Sequence, residues 1–346
     1  MTSLAGLPLA DLEKELSFLP RYRAQQILKW INKGADNFDE MSNIPLTLKN
    51  ELKEKFTIFS GTRSNCHNDK ETKKIVISLK DETKIEAVLL NDGKNRYTAC
   101  LSTQVGCPAA CVFCKTGTLG FKRNLESQEI IEQFLYLKKL INNDKLNDEH
   151  TIDNIVVMGM GEPLLNLENL RKAISTFTDP KGFNLSRRRI TVSTCGICEG
   201  LFDIAKNGPF IRLALSLLTA DENLRSLLMP ITKFNPLEKI KEALVLFQKN
   251  GGGRITLEIP LLGGINTRDA DIKSIADFSL GLETVINLIP WNPVENLYFN
   301  GAPLLKPSKK EIDNFKNKLE SKKLKVTKRL HKGQGINGAC GQLGSV

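Results

Sequence analysis

The sequence predicts an α/β chain: a partial (β/α)6 barrel preceded by a small helical domain and a β-hairpin extension. Three observations carry that expectation. Short runs of strand character recur near residues 97–103, 153–158, 189–193, 211–217, 254–260 and 284–289. Helix-length stretches separate them, as in parallel strands joined by crossover helices. Ahead of them, Ala24, Ile27, Leu28 and Ile31 fall at i, i+3, i+4 and i+7 and give one apolar stripe to a helix flanked by Arg21, Arg23 and Lys29. Between the two regions, Ile75–Ser78 and Ile85–Leu89 flank the polar turn Lys80-Asp81-Glu82-Thr83, the pattern of a hairpin. Two helix starts are explicit: Asn235 before Pro236 at a first helical position, and Ser308-x-x-Glu311 as a capping box. The expected units are a helical accessory domain over 1–60, the hairpin over 61–95, the barrel over 96–332 and a tail over 333–346.

With 49 Lys and Arg against 39 Asp and Glu, the formal charge is +10 and the pI about 9.1, which favours a polyanionic partner. Basic residues concentrate in the N-terminal helices, at Lys122-Arg123, at Arg187-Arg188-Arg189, and from Lys306 to Lys332, where 11 Lys or Arg face 3 Asp or Glu. Such surfaces hold phosphates without reading sequence; a lysine-rich solvated helix would look the same over Lys316 to Lys323. The opening Met-Thr-Ser-Leu-Ala-Gly soon meets Asp11, Glu13, Lys14 and Glu15 and reads as neither signal peptide nor membrane span. A cytoplasmic protein is expected. In that reducing compartment the eight cysteines are metal ligands or catalysts before they are structural disulfides.

The strongest chemical signal is Gly106-Cys107-Pro108-Ala109-Ala110-Cys111-Val112-Phe113-Cys114, a C-x-x-x-C-x-x-C run on the loop after the first barrel strand. Three clustered thiolates can bind three irons of a cubane [4Fe-4S] cluster, where the usual set is four. The fourth iron is then open to a small molecule. The alternatives are three incidental buried thiols or a zinc site, which needs a fourth ligand for which Cys100 is the nearest candidate. Other unusual segments also follow predicted strands: Met158-Gly159-Met160-Gly161-Glu162-Pro163, Ser193-Thr194, Ser216-Leu217-Leu218 and Pro290-Trp291-Asn292-Pro293. Their common position at strand ends points to one site.

These motifs, with Leu288-Ile289 before Pro290 and the tail Ala339-Cys340-Gly341-Gln342-Leu343, resemble the RNA adenine-C2 methyltransferases of the radical S-adenosylmethionine (SAM) class over nearly the whole chain. The resemblance implies a radical SAM barrel in which Cys107, Cys111 and Cys114 bind a [4Fe-4S] cluster, and Gly161, Glu162, Ser193, Ser216, Leu217, Leu218 and Asn292 bind S-adenosyl-L-methionine. It further implies that Cys340 carries the methyl group, that Cys100 resolves a covalent RNA adduct through a transient disulfide with Cys340, and that Glu86 is the general base. Taken alone, Glu86 is a carboxylate on a strand edge, of a kind ordinarily solvated, and Cys340 an isolated thiol in a flexible tail. Adenine C2 is electron-poor and unactivated, so simple methyl displacement fails there and a radical route is required. The implied substrates are 23S rRNA and tRNA anticodon loops, with the adenine leaving its stack to enter the barrel mouth. A flavodoxin-like electron donor, a monomeric state and no membrane partner complete the expectation.

Two positions depart from the family pattern. Relatives commonly place histidine where Leu218 stands, and Cys195-Gly196-Ile197-Cys198 forms a C-x-x-C that the family usually lacks, readable as a redox dithiol, an extra metal site or two small residues packed near the barrel rim. The rival functions are the sister family that methylates adenosine C8, a zinc-stabilised RNA-binding protein and a dithiol oxidoreductase using Cys195 and Cys198.

Overall fold

The computed structural model describes residues 1–94, 96–141, 151–329 and 332–344. Its centre is a ten-stranded sheet in which spatial order follows chain order. Three antiparallel strands come first: β1 (Thr62–Asp69), β2 (Thr72–Ser78) and β3 (Lys84–Asn91). Strand β3 pairs antiparallel with β4 (Tyr97–Cys100), which begins the parallel part. There follow β5 (Asn154–Val157), β6 (Ile190–Thr194), β7 (Arg212–Ser216), β8 (Ile255–Leu261), β9 (Thr284–Pro290) and β10 (Val326–Lys328). Crossover segments between them carry α4 (Ser127–Ile141), α5 (Leu167–Thr178), α6 (Cys198–Asn207), α7 (Glu222–Leu228), α8 (Leu237–Lys249), α9 (Asp269–Ser279) and α10 (Lys309–Ser321). This is the expected incomplete barrel with one more parallel strand than the sequence announced. Strand β10 lies among lysines, and only Val326 in it is partly covered, so no apolar run marked it.

The expected hairpin is a three-stranded meander continuous with the barrel sheet. Its extra strand, β1, reads Thr-Arg-Ser-Asn-Cys-His-Asn-Asp and is largely exposed, so it lacks the alternation that reveals a half-buried strand. The start of α8 shifts by one residue: Pro236 is the N-cap, and Asn235 closes the preceding 3-10 turn. The capping box of α10 forms as read, with Ser308 Oγ accepting from the Glu311 amide at 3.2 Å.

In the N-terminal unit, α1 (Leu9–Glu15), α2 (Arg21–Lys33) and α3 (Leu46–Lys55) bury the predicted stripe Ala24, Ile27, Leu28 and Ile31. Each buried Ile or Leu there contributes roughly 1.5–3 kcal/mol. Polar side chains of α4 fasten this unit to the barrel. Glu132 accepts from the Ser60 amide at 2.7 Å and the Ser60 hydroxyl at 2.8 Å, and Gln128 donates to Ser3 O at 3.1 Å. Gly6, at φ +79°, lets the chain pass there: a Cβ would lie 2.9 Å from Gln128 Cα. Among the described residues no helix is long and apolar enough to cross a membrane.

Candidate active site

The ends of the parallel strands converge on two adjoining cavities. The loop that floors the first is shaped by a short ribbon, Gln104–Gly106 paired with Phe121–Asn124. Gly106 has φ +77°, and a Cβ there would sit 1.8 Å from Gly120 O. Only glycine fits. The Cys107 amide donates to that same Gly120 oxygen at 2.9 Å. Farther along, the Val112 amide donates to Leu228 O at 3.0 Å and Trp291 Nε1 donates to Phe113 O at 2.9 Å. The C-terminal end of α7 and the residue that follows β9 thus grip the cysteine loop from outside. Gly106→Ala should therefore lose its bound iron, since the αL penalty of about 1–2 kcal/mol is compounded by a backbone clash. Iron and sulfide determination on the anaerobically purified variant checks it, and wild-type loading would refute it.

Cys107, Cys111 and Cys114 are half-buried and line this first cavity, of about 170 Å3. Burial pushes the Cys107 thiol up to about 12, and burial reinforced by the neighbouring thiols lifts Cys111 well above its ordinary value. Burial likewise raises Cys114. Such thiols gain most from a metal that takes them as thiolates. Among the described residues no group of three or more His, Cys, Asp or Glu side chains converges on a point where one ion could sit. A four-iron cubane stands between its ligands and spaces them more widely than a single ion does. Three soft sulfur donors on one loop suit that cluster and leave one corner open.

Gly161, Glu162, Ser193, Ser216 and Asn292 line the same cavity. Glu162 is buried; its Oε1 accepts from the Leu164 amide at 2.9 Å and its Oε2 from the Cys195 amide at 2.7 Å. Its own amide donates to Gln104 Oε1 at 2.8 Å. Gly161 makes this possible at φ +103°, because a Cβ would lie 2.6 Å from Gln104 Cβ. Burial raises the Glu162 carboxyl, and a bound ammonium group would offset that. Leu217 and Leu218 are not brought to the cavity. Their side chains are fully buried, and both amides donate to Glu258 O, at 3.0 and 3.2 Å. Leu218 takes φ +64° and its carbonyl accepts from Asn266 Nδ2 at 2.9 Å, so the turn carries the chain away behind Ser216.

The second cavity, about 230 Å3, contains Cys100 and Lys332 and is walled from the first by Met158, Ile289, Asn292, Arg329 and Cys340, which line both. Cys340 lies in that wall because the tail is docked across the barrel mouth. Lys115 N donates to Gly341 O at 2.8 Å, Asn292 Nδ2 to Cys340 O at 3.0 Å, Gln342 Nε2 to Pro293 O at 3.0 Å, and Thr116 Oγ1 to Leu343 O at 2.7 Å. Burial, then the nearby Cys340, pushes the Cys100 thiol up to about 12. Arg329 answers from the opposite side, its charged form favoured first by Cys340 and then by Glu258 and Cys100 against the cost of burial. Glu86 lines neither of these cavities. It is 2% exposed, ion-paired to Lys74 at 2.8 Å, and accepts the Gly344 amide at 2.6 Å.

Residues 101–278 match the Radical SAM superfamily, and residues 7–58 match the Ribosomal RNA large subunit methyltransferase N-terminal domain. A protein of Treponema denticola named "Probable dual-specificity RNA methyltransferase RlmN" is 46% identical over 346 residues, covering 100% of this chain and 96% of its own length. A Treponema pallidum protein of the same name is 42% identical, covering 99% and 98%. The chain belongs to the RlmN family of radical SAM RNA methyltransferases. The crystal structure of a radical SAM methyltransferase from Sphaerobacter thermophilus superposes with a TM-score of 0.93 at 34% identity, covering 99% of both chains. The cofactors of a radical SAM enzyme of this kind are a [4Fe-4S] cluster and S-adenosylmethionine.

Within this RlmN-family fold several residues that shape the site carried no local sequence signal. Arg329 sat inside the lysine-rich stretch and read as surface charge, yet its guanidinium points inward, 3.8 Å from Met158 Sδ. Arg225 occurs in an ordinary helix, and its burial is set by the tertiary fold. Lys74 also gave none: it shares a strand face with Thr72, Val76 and Ser78, the more polar of the two, and its burial is set by the tertiary fold. Cys195 of the C-x-x-C is buried in the wall of the first cavity, whereas Cys198 opens α6 half-buried; both are free thiols. Of the basic residues expected to face RNA, Arg123 is committed to Glu129 at 2.8 and 2.9 Å and to Asp81 at 2.7 Å. Lys318, Lys328 and Lys332 pair with Asp269, Asp313 and Glu71, while Arg187 and Arg188 stay exposed. His331, within the basic stretch, lies outside the described residues.

Proposed function

We propose that this RlmN-family enzyme methylates C2 of adenosine in 23S rRNA and in tRNA anticodon loops, acting as a cytoplasmic monomer supplied with electrons by a flavodoxin-like protein. The observation that carries the reading is the shared wall: a cavity floored by three cysteines and a cavity holding Cys100 meet at Cys340. Cys107, Cys111 and Cys114 would hold the cluster, and Glu162, Ser193, Ser216, Asn292 and the backbone at Gly161 would hold S-adenosylmethionine. Leu217 and Leu218, buried outside that cavity, would follow Ser216 without touching the cofactor. When bound, the cluster and S-adenosylmethionine supply one-electron cleavage to an organic radical.

The remaining work falls to the chain. Cys340, in the wall between cofactor and substrate cavities, takes the methyl group on its sulfur and presents the carbon to C2; the bond between them would form with one methyl hydrogen taken up by the cofactor-derived radical and one electron passed to the cluster. The second cavity receives the adenine once it has left its stack. Glu86 accepts the C2 proton after leaving the Gly344 amide. The Cys100 thiolate attacks the Cys340 sulfur and breaks its bond to the methylene carbon, which takes up a proton to become the new methyl group as the base leaves; the resulting disulfide is left for cellular thiols to reduce.

The test is product analysis. Anaerobically reconstituted enzyme, given S-adenosylmethionine, a one-electron reductant and transcripts of the 23S rRNA segment or a tRNA, should yield 2-methyladenosine on nucleoside digestion. Cys340→Ser should yield none. 8-Methyladenosine would assign the chain to the sister activity, and a cluster-loaded enzyme that methylates neither RNA would overturn the proposal.

A further inference from the structure

Glu86 and Lys74 are both buried, at 2% and 3% exposure, and their 2.8 Å contact is a diagonal one across the meander: Lys74 stands opposite Val88, and Glu86 opposite Val76. Each carboxylate oxygen of Glu86 has a different partner. Lys74 Nζ donates to Oε1, and the Gly344 amide donates to Oε2 at 2.6 Å. Gly344 is four residues beyond Cys340 on the same docked tail. It is wedged against the turn after the cysteine loop: at φ +100°, a Cβ there would meet Leu119 Cδ1 at 2.6 Å, and the preceding Leu343 carbonyl accepts from Thr116 Oγ1 at 2.7 Å. The main chain of Glu86 is also tied to the site, since Ser102 Oγ donates to Glu86 O at 2.6 Å and accepts from the Met160 amide at 2.8 Å.

We propose that Lys74 is a positioning residue for the reaction: by holding Glu86 as a buried anion it creates the acceptor on which the Cys340-bearing tail docks. A buried carboxylate with a single amide donor is poorly compensated; the ammonium at 2.8 Å on Oε1 fixes the group so that Oε2 faces the docked tail. An amide bonded to an ion is held more strongly than one bonded to a neutral group. Lys74 therefore acts on Cys340 through two intermediaries, Glu86 and Gly344, without touching substrate. This inference rests on the proposed roles of Glu86 and Cys340, but the placement of the tail can be measured without RNA.

The experiment follows alkylation of Cys340 by iodoacetamide, resolved by peptide mass spectrometry, in cluster-loaded protein without RNA. Lys74→Met should speed alkylation of Cys340 about tenfold, the shift expected on losing one charge-assisted hydrogen bond. Cys195, buried on the far wall of the cofactor cavity, should keep its wild-type rate. Because Lys74→Met leaves Glu86 alone in the interior and can impair folding, the double variant Lys74→Met/Glu86→Leu supplies the second arm. It removes the ion pair as a unit, which a buried site tolerates, yet offers Gly344 no acceptor, so Cys340 should again be alkylated about tenfold faster. Wild-type labelling of Cys340 in the double variant, or equal acceleration of Cys195, would overturn the latch. Failure of RNA methylation with the labelling pattern intact would instead count against the proposed function alone.

Discussion

A Cys111→Ala variant, purified without oxygen, should fold normally, lose nearly all of the roughly four irons per chain, and show no methylation above background. Cys111 stands between the other two cysteines in the run, and on the proposed assignment its removal leaves two thiolates, too few to retain a cubane whose fourth corner is open. The loop should survive the change. Its bracing is main-chain: Cys111 O accepts from the Cys114 amide at 3.2 Å, and Gly117 packs so closely that a Cβ would sit 2.6 Å from Cys111 O. Alanine keeps all of this. Iron, sulfide and visible absorption, compared with the thermal midpoint of the metal-free proteins, separate lost metal from lost fold. Wild-type iron in the variant would remove these cysteines from the metal site.

The largest loss of stability should come from Arg225→Met. Arg225 is fully buried and its guanidinium gathers four acceptors: Leu217 O at 3.0 Å, Thr232 Oγ1 at 2.7 Å, Cys195 O at 2.6 Å and Ser216 O at 3.2 Å. Burial disfavours its charged form, so removing it recovers some desolvation energy. Against that, buried carbonyls left unpaired cost about 1–3 kcal/mol each. The hydrogen bonds should win, with a net loss of about 3 kcal/mol out of the roughly 5–15 kcal/mol typical of a native protein. Lysine should fail as a replacement, because a single ammonium cannot span acceptors on both strand ends. S-adenosylmethionine binding should weaken in parallel, since Ser216 and Cys195 line the cofactor cavity. Denaturant titration and equilibrium binding on the same preparations check both effects; unchanged stability would mean that water takes over the four acceptors.

What the sequence disclosed follows physical locality. The six central strands were visible because strands covered on both faces must be nearly continuous apolar runs, and α2 because one stripe suffices to bury it. The cysteine run and the glycines at 159 and 161 were legible because ligand spacing and close backbone approach are written in adjacent residues. Strands β1 and β10 escaped because their stability comes from pairing, with little apolar burial of their own. Arg225 and Arg329 escaped for a different reason: nothing near them in sequence says which way a long cation points. Leu218 was the reverse case, where a resemblance implied a contact and an αL turn, with both backbone groups engaged inside the chain, carried the residue elsewhere.

The sheet whose spatial order matches its chain order has a consequence for biosynthesis. Each strand can dock on a predecessor already made, so no strand must be inserted between two others. The tail obeys a different schedule. Its anchors, Lys115, Thr116, Asn292 and Glu86, come from loops and strands spread along most of the chain, and it follows all ten strands. A nascent chain halted before residue 332 already carries all ten strands but lacks Cys340 and the tail residues that close the second cavity. The sulfur in the partition between the two cavities is therefore the last piece of the site to be laid down, after the sheet that carries the other cysteines.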